Sequence, residues 1–117
     1  MSHSLMDVPV NLHPSKYLER VEGVFNEVRS RPSNRKDFDH SKGSDGNLSA
    51  NYAVQSAYAL LKYAEALEPG RFTAAISSTK LSVQKSYLRI GYANAPQIVK
   101  QIDEELVRLF PVLDKTR

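Results

Sequence analysis

The chain has 117 residues, no cysteine, a formal net charge of +3 and a pI near 9.2. That length suits a single domain spanning residues 1–117 with a core of its own, and the missing thiols exclude a disulfide framework and any thiolate zinc site. No window approaches about 18 consecutive apolar residues, and residues 1–12 lack the basic and apolar regions of a signal peptide, so a soluble, cytoplasmic protein without a membrane span is expected.

Residues 1–12 read as an arm: they have no helical period, and Pro9 forbids an early helix. The first helix is predicted over 14–29. Pro14 has the pre-set φ that suits a first helical position, and Tyr17, Leu18, Val21, Val24, Phe25 and Val28 fall on one stripe. The stripe fits a core helix or a dimerisation helix.

Residues 30–47 are dominated by Gly, Ser, Asp, Asn and Pro, with Phe38 the one large apolar residue, and read as a long flexible loop. Its start carries Arg31, Arg35 and Lys36, so it is either an arm that tracks a phosphate backbone or a plain tether. Counted as a calcium loop from Asp37, the glycine position falls on Lys42 and the closing glutamate on Leu48, which rules that reading out.

The second helix is expected from Asn47 or Ser49 to Leu67, rich in alanine and ended by Glu68, Pro69 and Gly70. Its apolar residues Tyr52, Val54, Ala57, Tyr58, Leu60, Leu61, Ala64 and Leu67 mark it as the central core helix. Residues 71–78 fit a short helix or a connector with one helical turn, with Ser77, Ser78 and Thr79 available to cap the next helix. That third helix is predicted over 82–89. Gly91 supplies the reversal, since glycine accepts positive φ without strain. The last helix opens at Asn94 as cap with Pro96 in its first turn, carries the stripe Ile98, Val99, Ile102, Leu106, Leu109 and Phe110, and stops at Pro111. The fold class is therefore all-α, with four to five helices, a long loop at 30–47 and a helix-turn-helix-like pair within 71–110.

Charge is distributed unevenly. Residues 1–47 hold seven basic and seven acidic side chains, whereas residues 69–102 hold five basic ones (Arg71, Lys80, Lys85, Arg89, Lys100) and no acidic one. Such a field attracts phosphate through counterion release. The three histidines, His3, His13 and His40, show no ligand spacing, and no nucleophile elbow or glycine-rich phosphate loop is present. No enzyme, metal site or cofactor is expected, and no small-molecule substrate is evident.

At Arg89, Ile90, Gly91 and Tyr92 the chain resembles the gamma domain of FtsK/SpoIIIE-type DNA translocases, a winged helix-turn-helix. Ser82, Ala95 and Ile98 match the same pattern and Ile102 continues it, so the likeness covers residues 79–103. Departures are Ala93 and Asn94 where the family has Asn-Arg, Pro96 for an alanine, Gln97 for a basic residue, and Lys85 and Ser86 for Gln-Arg. Too little chain remains after the last helix for a two-stranded wing, and no Walker A motor motif accompanies it. The resemblance implies DNA binding without a transferable sequence preference.

On that reading Asn94, Gln97, Lys100 and Gln101 face base edges, and Arg71, Lys80, Lys85, Arg89 and Tyr92 meet phosphates. The expected protein is a small DNA-binding regulator or accessory factor of a plasmid, phage or chromosome-maintenance system, acting on double-stranded DNA as a homodimer. The competing expectation is a helical protein–protein interaction or inhibitor module whose basic face meets an acidic partner.

Overall fold

The computed structural model describes the backbone of residues 14–35 and 45–116. It is all-helical, with no strand among the described residues. The elements are α1 (Pro14–Ser30), the single turn α2 (Pro32–Arg35), α3 (Asp45–Leu67), α4 (Thr73–Arg89), α5 (Ala95–Leu109) and a closing 3-10 helix (Pro111–Thr116). The expected arm at 1–12 and the loop from 36 to 44 lie outside the described residues, together with His3, His13 and His40. Among the described residues no helix is long and apolar enough to cross a membrane.

The α1 stripe is a core stripe. Tyr17, Val21, Val24, Phe25 and Val28 are buried, and Leu18 packs against them. They meet the buried face of α5 (Ala95, Ile98, Val99, Ile102, Leu106) and Phe110, while the 3-10 helix with buried Val112 and Leu113 packs against α3 and α5. Tyr17 is pinned in this core: its ring lies 4.9 Å from that of Phe110, and its hydroxyl donates to the Ala59 carbonyl at 2.8 Å. A buried phenol needs such an acceptor.

α3 and α4 form an antiparallel hairpin. Gln55 donates to the Tyr87 hydroxyl at 2.9 Å, while ten residues later Glu65 reaches the start of α4. The Glu65 carboxylate accepts from the backbone N–H groups of Gly70 and Phe72, satisfying donors at an otherwise uncapped helix start. Those two bonds hold its pKa below the usual carboxylate value. Gly70 adopts φ +91° in this turn.

Three expectations are corrected. First, α4 is one continuous helix from Thr73, so Ser77, Ser78 and Thr79 are interior residues and cap nothing. No Gly or Pro lies between Arg71 and Gly91, and serine and threonine are tolerated in a helix that packing supports. Second, α3 begins at Asp45, ahead of both expected caps, and it turns polar side chains as well as apolar ones inward. Its inward residues are Gln55, Tyr58, Ala59, Lys62, Glu65 and Ala66, whereas Tyr52, Ala57, Leu60 and Leu67 are exposed. The polar side chains turn inward because each finds a partner there. Third, the expected loop holds the one-turn helix α2, whose Asn34 is 1% exposed.

Candidate nucleic-acid interface

The Gly91 turn is a helix stop of a defined kind. The Gly91 N–H donates to the Leu88 carbonyl at 3.1 Å and the Tyr92 N–H to the Tyr87 carbonyl at 3.0 Å, with Gly91 at φ +103°. This is the paired bonding of a Schellman cap, which also calls for an apolar contact between the residue past the glycine and the last turn. Tyr92 makes it, edge-on to Tyr87 with ring centroids 5.6 Å apart. Ile90, Tyr92, Ala95 and Ile98 are all buried. The residues that carry the translocase-like pattern thus build the corner between α4 and α5.

The nine side chains assigned to DNA separate into two groups. Lys85 and Arg89 are exposed one turn apart on α4, and Gln97 and Lys100 are exposed on the first turns of α5. None of the three cations has an ion-pair partner among the described residues. Arg71 is also exposed, but it pairs with Glu68 at 2.8 Å, and Lys80 faces Asp103 at 3.7 Å. Tyr92, Asn94 and Gln101 are turned inward and are not brought together with the exposed set.

Of these three, Asn94 and Gln101 are held by α2 and the end of α1. Asn94 occupies the N-cap position of α5, yet its side chain caps nothing; its amide donates to Asn34 Oδ1 at 2.8 Å, and its own Oδ1 is buried without a partner. Gln101 Oε1 accepts from Asn34 at 3.1 Å and from Arg31 at 3.2 Å. Asn34 also donates to the Val28 carbonyl at 2.7 Å. Arg31 continues to Glu105 at 2.7 Å, and Glu105 takes a second guanidinium from Arg108. The hydrogen bonds from Arg108 and then Arg31 hold the Glu105 pKa below its usual value.

Sequence reasoning missed Asn34 and what it brings. The Asn34–Asn94 bond sets α2 beside the start of α5, and the next residue, Arg35, is exposed with no ion-pair partner among the described residues. The sequence signal was a basic flavour at the loop start; only the fold shows that it adjoins the Gly91 corner.

No family model, curated protein or solved structure matches this chain. The likeness to the translocase domain therefore rests on its few shared residues.

Proposed function

We propose that the protein is a non-enzymatic DNA-binding protein that sets the α4–α5 corner against the phosphate backbone of duplex DNA. The observation that supports this best is the set of exposed, unpaired cations on the two helices that flank Gly91 in the chain: Lys85 and Arg89 before it and Lys100 after it, with Arg35 adjoining the start of α5. Exposed guanidinium and ammonium groups without internal carboxylates exchange condensed counterions for phosphates at little cost to the fold. Gln97 is the exposed amide of the set, and an amide offers the donor and acceptor that match adenine N7 and N6. With Asn94 and Gln101 held by Asn34, base discrimination is modest and backbone contact dominates. Titration of random duplex DNA at two salt concentrations tests this. Binding that weakens with salt and with Lys85→Glu and Arg89→Glu supports it; no binding at low salt in the micromolar range overturns it.

A second reading, a helical protein–protein module, draws on the outer face of α3. Ala53, Ala57 and the partly exposed Leu60 and Leu67 stand outward with half-buried Ala64 between the leucines, and their steps of four and three follow a coiled-coil seam. Residues 46–61 contain no charged side chain, so charge does not select the partner. The fitting occupant is a second copy: an antiparallel pair centred on Leu60 sets Leu67 opposite Ala53 and brings Ala57 within one position of Ala64. Sedimentation equilibrium decides it, a monomer unaffected by Leu60→Lys being the contrary result. Such a pair also serves the DNA reading by presenting two corners to one duplex.

A further inference from the structure

A cleft of about 470 Å³ opens between the N-terminal half of α4 and the C-terminal half of α5, over α3. Asp103 stands within it. Its Oδ1 accepts from the Tyr58 hydroxyl at 2.8 Å and from the Lys62 ammonium at 3.3 Å, while Oδ2 faces the Lys80 ammonium at 3.7 Å. Lys62 is nine-tenths buried and lies 5.5 Å from the Tyr58 ring centroid. Lys100 and Glu104 are exposed at the rim, and half-buried Ile76 and Val107 supply apolar wall.

Three cations (Lys62, Lys80, Lys100) and three carboxylates (Glu65, Asp103, Glu104) line the cleft, but the carboxylates are unevenly placed to serve the cations. One carboxylate, Asp103, serves two ammonium groups. Glu65 also borders the cleft, but its oxygens are committed to the Gly70 and Phe72 backbone N–H groups. The Lys80 ammonium pairs with Asp103 only at ion-pair distance, so its donors have no hydrogen-bond partner among the described residues. The volume falls in the range of small-molecule sites, and the lining has their usual character: apolar wall with a few converging polar groups.

We infer that this cleft binds a small organic anion, its carboxylate or phosphate held by Lys62, Lys80 and Lys100 and its apolar body against Ile76 and Val107. The anion supplies Lys80 with the hydrogen-bond acceptor that Asp103, at 3.7 Å, does not. Bridging α4 and α5 at this end, it also stiffens the pair on the side away from Gly91. No DNA enters the test, so this inference and the DNA reading succeed or fail separately.

The test is an amide-shift NMR titration of the isotope-labelled full chain with benzoate, phenyl phosphate and neutral benzyl alcohol. Saturable shifts at Lys62, Lys80 and Asp103 with at least one of the anions, and none with benzyl alcohol, are expected; the tighter anion distinguishes carboxylate from phosphate. Lys62→Met and Lys80→Met each weaken binding about tenfold or more, since each removes a charge-assisted contact. Lys16→Met, outside the cleft, leaves it unchanged. Lys80 has a side chain 41% exposed, so its variant keeps the test valid should Lys62→Met fail to fold. An equal response to benzyl alcohol, no saturable shift with either anion, or binding indifferent to Lys80→Met overturns the inference.

Discussion

Replacing Lys85 by methionine is expected to change the salt dependence of DNA binding as well as its strength. Each phosphate contact on duplex DNA contributes about 0.9 to the slope of log affinity against log salt. Four contacts, from Arg35, Lys85, Arg89 and Lys100, give a slope of about −3.6, so affinity falls roughly 150-fold between 50 and 200 mM salt. Removing Lys85 brings the slope to about −2.7 and the fall to roughly 40-fold. Lys85 is exposed and unpaired, so the variant leaves the fold alone. Fluorescence anisotropy with a labelled random duplex across a salt series reads the slope directly. Lys16→Met on α1 is the control, because Lys16 lies 3.8 Å from Glu19 and away from the corner residues in the chain. The reasoning is refuted if Lys85→Met and Arg89→Met leave the slope unchanged, or if the Lys16 control alters it as much.

Asn34→Ala should lower unfolding stability by about 2 kcal/mol in urea, since it strips partners from the Val28 carbonyl, Gln101 and Asn94; an unchanged midpoint would show that these bonds contribute nothing net. Gly91→Ala should cost about 1–2 kcal/mol, because its φ of +103° is hostile to a side chain; a neutral variant would mean the turn relaxes. Stability should fall on acidification below the ordinary carboxylate pKa of 4.5, because unfolded Glu65 and Glu105 take up protons there while the folded carboxylates resist. Glu65→Gln should flatten that acid limb of a pH series of melting temperatures, and an unaltered limb would refute its role. Stability should also fall above pH 10.0, where exposed phenols ionise but burial keeps Tyr17, Tyr58 and Tyr87 neutral in the folded chain. Tyrosinate absorbance that rises in one step near that pH, with no loss of structure, would contradict it.

Local signals made much of the fold legible. The stripes of α1 and α5 follow a period that any helix must bury. Gly91 and the stop at Glu68, Pro69 and Gly70 are readable because backbone sterics act over a few residues. The all-helical class came from the same source, as did the acid-free stretch that leaves Lys85, Arg89 and Lys100 unpaired. What the sequence alone did not reveal depends on partners distant in the chain. Gln55, Lys62 and Glu65 look like a solvent face until Tyr87, Asp103 and the α4 start meet them, and that shifts the buried side of α3 towards them. Asn94 and Gln101 have the chemistry of base readers, but Asn34, more than half the chain away, already holds both. Periodicity determines which faces can be buried. Tertiary contact decides which polar groups are satisfied internally and which remain for a ligand, because a hydrogen bond carries no trace of itself in the spacing of the residues that make it.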